Sequence, residues 1–232
     1  MESGIRTIPE YAYRDLPADG THIRLLKLEP GEREDFIHCH LEPTTLDEAR
    51  GKYECISYVW GSNSEIRRIL VDGHWIYVTL NLFHALQHFR KRSEPRTLWA
   101  DAICIQQMNP REKGMQVQLM GRIYENSHST LVWLGPDLQG IAISTTDFLK
   151  QVSQVSRDLN EKYGGARHIP NLSPEENPVP QDVDKWASYK KFLDHKWFTR
   201  CWVMQEVGIA PAVSIHWYVW CLPLHVHETD PR

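Results

Sequence analysis

The sequence predicts an α/β domain: a parallel sheet flanked by helices, with an added β-hairpin and N-terminal strands. Three observations predict it. YECISYVWG (53–61), TLWADAICI (97–105) and STLVWLG (129–135) are near-continuous apolar runs, the pattern of strands buried on both faces. Helix-periodic stretches stand between and after these runs. That alternation needs right-handed crossovers, which place helices over both faces of a parallel sheet.

In chain order, Ile23, Leu25, Leu26 and Leu28 suggest a first short strand and residues 36–41 a second, with the turn Pro30-Gly31 between them. After the 53–61 strand, RILVDGHWIYV (68–78) sets Asp72-Gly73 between two β-rich runs, a type I′ hairpin signal. Asn81 is the expected cap of a helix whose Leu82, Ala85, Leu86 and Phe89 make one face. The Arg90-Lys91-Arg92 trio at its end reads as a solvated helix terminus. Residues 97–105 form the second apolar strand, interrupted by Asp101. Asn109-Pro110-Arg111-Glu112 then supplies a cap, a first-turn proline and an early acid for a helix with Met115, Leu119, Met120, Ile123 and Tyr124 on one stripe. Residues 147–163 read as another helix, the proline-rich 164–184 as a loop insertion, 188–195 as helix and 214–220 as strand. Residues 221–232 have no clear partner and are expected to be an irregular tail. The expected organisation is thus lead-in strands over 1–52 packing on a domain over 53–220.

With 232 residues, 41% hydrophobic and 24% charged, the chain has ordinary globular usage and enough apolar residues for one normal core. A net charge of -4 gives no electrostatic reason to expect nucleic acid. The five cysteines (Cys39, Cys55, Cys104, Cys201, Cys221) are odd in number and widely spaced, unlike a disulfide framework. No stretch approaches the roughly 20 apolar residues of a membrane span, and no apolar leader stands at the N-terminus. A reducing, cytoplasmic setting is expected.

No GxGxxG, Walker or GxSxG motif occurs, which argues against dinucleotide dehydrogenases, P-loop NTPases and serine hydrolases of the α/β class. Cys104 and Cys201 sit in apolar runs and read as inert core thiols. His38-Cys39-His40 lacks a second ligand pair and reads as strand surface, so no metal is expected. Asp101 lies at a strand end, where an Asp often caps the following loop. The WFTRCWVMQEVGIA stretch (197–210) offers Thr199 as a cap for a helix from Arg200, with Trp202, Val203, Val207 and Ala210 as its apolar stripe. Glu206 falls inside that stripe, and a buried carboxylate is costly unless something pairs with it or uses it.

Three blocks in order, YECISYVWG, LWADAICIQQMNPREKGMQVQLMGRIYENSHSTLVWLG and WFTRCWVMQE, resemble those of the fungal heterokaryon-incompatibility (HET) domain, and YRDLPADGTHIRLLKLEPG resembles its usual lead-in. The likeness spans most of residues 11–210. Ala100-Asp101-Ala102 departs from it, the family more often having bulkier neighbours there. The family is regarded as related to the Toll/interleukin-1-receptor (TIR) fold, so the resemblance implies a flavodoxin/TIR-like sheet. Several TIR domains cleave NAD⁺ with a helix Glu four residues after a Trp, the relation of Trp202 to Glu206.

The resemblance therefore implies Glu206 as catalytic carboxylate, stabilising positive charge on the ribose as nicotinamide leaves. Tyr58, Trp60, Gly61, Asp101, Gln106, Arg200, Trp202 and Gln205 become the expected substrate-binding residues. NAD⁺ would be substrate, with no resident cofactor. Partners would be a second copy or other incompatibility proteins, including those of NLR type, in non-self recognition and programmed cell death. The alternative is a non-catalytic, self-associating adaptor with a structural Glu206.

Overall fold

The computed structural model of the chain describes residues 8–62, 64–173, 175–219 and 222–227. Its strands are β1 (His22–Leu28), β2 (His38–Thr45), β3 (Glu54–Tyr58), β4 (Ile66–Val71), β5 (His74–Thr79), β6 (Arg96–Trp99), β7 (Ser129–Pro136), β8 (Val213–Val219) and β9 (Leu222–His227). All nine join one sheet in the order β5-β4-β2-β1-β6-β3-β7-β8-β9. The centre is parallel: β3 pairs with β6 on one side and β7 on the other, and β7 pairs with β8. Antiparallel additions flank it. β1 runs antiparallel to β6 and to β2, so the N-terminal strands extend the central ladder directly.

The β4–β5 hairpin then joins β2 in parallel. Its turn has φ of 49° at Asp72 and 76° at Gly73, as a type I′ turn requires. At the other edge β9 pairs antiparallel with β8. Residues 222–227, expected as irregular tail, are therefore a strand. The short alternation in LPLHVH gave too few positions to signal it.

The helices are α1 (Leu46–Ala49), α2 (Leu80–Phe89), α3 (Asp101–Cys104), α4 (Pro110–Glu125), α5 (Ala142–Tyr163), α6 (Val183–Leu193) and α7 (Val203–Gly208). Strand alternation decides which face each covers. Tyr58 and its register neighbour Trp133 lie on the face that α2 covers, where the Trp133 ring meets His88 and Phe89. Cys55 and Ser57 point the other way, to α4 and to the buried group of Val132, Phe192 and Trp197. Val203 and Val207 of α7 and Leu149 of α5 pack on this second cluster. Both faces of the parallel centre are covered.

Several elements depart from the pattern reading, each for a local reason. The apolar run 97–105 is strand only to Trp99; Asp101 accepts from the Ala102 N–H and starts a one-turn helix. The cap of α2 is Thr79, whose hydroxyl accepts from the Leu82 N–H, and Asn81 is the second helical residue. α5 begins at Ala142, five residues before the expected 147, with Asp137 accepting from the Ala142 N–H. Residues 196–199 form a 3-10 turn in which Thr199 donates back to the Lys196 carbonyl, so Thr199 caps no helix. α7 starts only at Val203, with Trp202 as its cap residue.

Arg90 is not solvated. It is 8% exposed and its guanidinium donates to the carbonyls of Phe36 (3.0 Å), Arg33 (3.0 Å), Asp35 (3.0 Å) and Glu32, closing the β1–β2 connection onto α2. Cys201 is exposed rather than core, because it falls in the turn before α7; Cys39, Cys55 and Cys104 are buried, and Cys221 lies outside the described residues. A second buried cation ties the N-terminal strands to the domain. Arg24 of β1 holds Glu112 of α4 at 2.6 and 2.9 Å and also donates to the carbonyls of Cys104 and Arg14. Among the described residues no helix is long and apolar enough to cross a membrane. No group of three metal-ligating side chains is found among them either.

Candidate functional site

In a parallel ladder the carboxyl ends of the strands line one edge, and connections there converge on a common surface. Here β3 ends at Tyr58 and β6 at Trp99, and the residues just beyond both strands meet. The Tyr58 hydroxyl donates to Asp101 Oδ1 at 3.1 Å, and the Trp60 indole N–H donates to Oδ2 at 2.8 Å. The Ala102 N–H adds a third donor at 2.8 Å, and the Gln107 amide donates to the Asp101 carbonyl at 2.8 Å. Burial lifts the Asp101 carboxyl above its ordinary 3.8; the Trp60, Tyr58 and Ala102 hydrogen bonds pull it down, and the charge of Glu206 adds to the rise. The Tyr58 hydroxyl is pushed well up, first by burial and then by the neighbouring Asp101 charge and hydrogen bond. Trp60 keeps 38% of its surface exposed, so this cluster reaches solvent on one side.

Glu206 forms a second cluster next to the first. It is 1% exposed. Arg200 grips it bidentately, Nη2 to Oε1 at 2.7 Å and Nη1 to Oε2 at 3.0 Å. Ser57 Oγ donates to Oε2, and the Trp197 indole N–H donates to Ser57 Oγ at 2.8 Å. Thr130 Oγ1 donates to the Glu206 backbone carbonyl at 2.9 Å, fixing α7 to β7. The local sequence explains the arrangement. His195 Nδ1 accepts from the Trp197 N–H and starts the 3-10 turn, which buries Trp197 at 3% exposure and turns Arg200 back toward the sheet. Charge-assisted, two-pronged bonds of this kind are the strong class of hydrogen bond, and both carboxylate oxygens are engaged. The arrangement can hold the last helix onto the sheet. It can meet a substrate's hydroxyls only if Arg200 withdraws.

The residues expected around a substrate divide into three groups. Tyr58, Trp60 and Asp101 meet in one cluster, and Arg200 and Glu206 in the other. Gly61 lies at the carboxyl edge with φ 79°, where a Cβ would sit 3.6 Å from Asn81 Cβ. Gln106 is drawn elsewhere, its N–H donating at 2.8 Å to Glu112 Oε1 of the Arg24 pair. Trp202, placed by the pattern in a buried stripe, is 41% exposed, and Gln205 is also exposed. The reason is the late start of α7: its inward face is Val203, Glu206 and Val207, and Trp202 precedes it as the cap residue.

Three site residues escape pattern reading. Ser57 is a hydroxyl on the buried face of an apolar strand, a group that must find a partner, and that is the signal that could have found it. Trp197 and Asn81 carry no such signal. Asn81 donates to the Val59 carbonyl at 2.6 Å and accepts from the Trp133 indole at 3.0 Å, bridging the ends of β3 and β7 from the start of α2.

Comparison with known proteins adds to this geometry. Residues 53–206 match the family model described as Heterokaryon incompatibility protein (HET). Over 217 residues the chain is 30% identical to "Heterokaryon incompatibility protein 6, OR allele" of Neurospora crassa, an alignment covering 80% of this chain and 32% of that protein. The chain thus spans about a third of that relative's length. No solved structure matches the chain at a significant level.

Proposed function

The chain belongs to the heterokaryon-incompatibility (HET) family, and from that premise we propose that it serves fungal non-self recognition as a module acting through association with a protein partner, with Glu206 a structural carboxylate. The observation that carries this reading is the state of Glu206. A carboxylate meant to stabilise an oxocarbenium-like ribose must offer a free oxygen to the ligand. Here both oxygens are occupied by Arg200 and Ser57 at 1% exposure. Exposed Trp202 (41%), Met204 (76%) and Ile209 (44%) around α7 support an associating surface beside the clasp.

A second reading, TIR-like NAD⁺ cleavage by Glu206, is favoured by one observation. The Asp101 cluster lies at the carboxyl edge of the parallel strands, near enough for the Glu206 charge to lift the Asp101 carboxyl, and Trp60 there is partly exposed. Withdrawal of Arg200 would open Glu206 toward that edge. NAD⁺ turnover and molecular mass, measured together over a range of protein concentrations, separate the two. The associating module predicts mass that rises with concentration and no turnover. Turnover that appears with assembly and drops about a hundredfold or more in a folded Glu206→Gln protein would establish the second reading instead.

A further inference from the structure

α4 and α7 lie side by side on one face of the sheet. A Cβ on Gly121 of α4 would come 3.7 Å from Ile209 Cδ1, just past the end of α7. Ile209 thus joins the exposed apolar group of α7, which includes Trp202 and Met204, to the outer side of α4. That outer side is polar. Residues 111, 114, 118, 122 and 125 are exposed at spacings of three and four, which keeps them on one helix face.

The two ends of this line carry charges that α4 alone does not favour. Arg111 stands in the first turn and Glu125 is the last helical residue. A helix dipole prefers the reverse, an acid at the start and a base at the end. Roughly 21 Å of helix separates the two, and neither enters an ion pair among the described residues.

A second α4 laid antiparallel on the first, with a two-fold axis passing at Gln118, accounts for both ends. Arg111 then meets the partner copy's Glu125, and Glu125 meets the partner copy's Arg111, two opposite pairs from one symmetry operation. Arg122 falls opposite the partner copy's Gly114, where an added Cβ meets nothing within 4 Å of its own chain, so the arginine stem has room. The axis crosses α4 within the interface plane, so the same rotation sets α7 against α7. Trp202, Met204 and Ile209 leave water together.

We propose that the chain forms a two-fold dimer through this α4–α7 surface. The apolar side chains around α7 supply the buried area, and the Arg111–Glu125 pairs set the antiparallel register, since exposed ion pairs fix orientation more than they add affinity. The proposal rests on the associating-module reading above and names its partner, a second copy of this chain.

The test is sedimentation velocity of the purified chain across micromolar concentrations. The native chain should pass from monomer to dimer. Arg111→Glu alone and Glu125→Arg alone each set like charges together at both ends, and each should weaken the dimer about tenfold or more. Raising the salt should shrink that difference. Mixing the two variants makes both end pairs opposite again, so the mixture should associate about as tightly as the native chain. Each substitution gives its helix end the charge that the dipole prefers, so folding should hold by circular dichroism. Met204→Glu, at a side chain 76% exposed, should also weaken the dimer. Native association that the single variants leave unchanged, or weakening that mixing fails to relieve, overturns this interface and leaves the associating module standing. A native chain that stays monomeric throughout overturns both.

Discussion

Glu206 sits where a carboxylate is costly, and what surrounds it shows how the cost is met. Removing one partner of a buried ion pair strands the other and typically costs about 3–5 kcal/mol. Glu206→Ala should therefore lower the unfolding free energy toward that range, read as a reduced urea midpoint. Glu206→Gln keeps an acceptor for Ser57 and should cost less. Arg200 is 21% exposed in its side chain and can rehydrate, which sets the loss nearer the lower bound. Two other carboxylates are expected to make the protein's stability fall in acid. Burial pushes Glu112 up, but its Arg24 hydrogen bonds outweigh this and hold it below the ordinary 4.5; burial of Glu54 is likewise outweighed by Arg96. Lowered folded-state values mean stability that is present above the unfolded value and lost as pH falls through the folded one. Asp101, raised, works in the opposite sense: its contribution is present at low pH and lost as pH rises through its folded value. Unfolding free energies measured downward from about pH 5 should fall with pH, and Glu112→Gln should flatten that fall. A carboxyl NMR titration should place the Asp101 midpoint above 3.8.

At the scale of elements, the β4–β5 turn and the segment before α7 are the most specific devices. Asp72 at φ 49° and Gly73 at φ 76° are both left-handed, so Gly73→Val should destabilise the hairpin by about 1–2 kcal/mol, measurable by thermal unfolding. The 3-10 turn over 196–199 leaves Cys201 exposed while Cys39, Cys55 and Cys104 are buried. Cys201→Ser should remove a fast phase of thiol modification in the native protein. These cases also show what residue order could reveal. The apolar runs of β3 and β7, the hairpin and the Asn109-Pro110 start of α4 were legible because each rests on short-range chemistry. The late start of α7 and the break of the second apolar run at Ala100 were not. Thr199 can cap a helix or bond back to Lys196, and only the packing of Trp197 against Ser57 decides between them. In the candidate site, Tyr58, Trp60 and Asp101 could be placed at one edge from strand order alone. The Arg200 clasp on Glu206 could not, because Arg200 lies in the irregular turn before α7 and its contact with a helix residue follows no period.

For the molecule as a whole, the sheet sets two places apart. The carboxyl edge holds Asp101 and Trp60, and the α7 face holds the sealed Glu206 pair. Arg24 and Arg90 act at this scale too. Each buries a guanidinium to bind sequence-distant segments, so Arg24→Met should lower the cooperativity and midpoint of urea unfolding by leaving Glu112 unpaired. On the proposed reading, this HET domain keeps Glu206 for structure and works by association. The most direct measurement is NAD⁺ consumption by the purified chain across the concentrations at which it self-associates, beside folded Glu206→Gln. No consumption by either protein, with association retained, is the expected result. Consumption by the native chain that is lost in Glu206→Gln would contradict it.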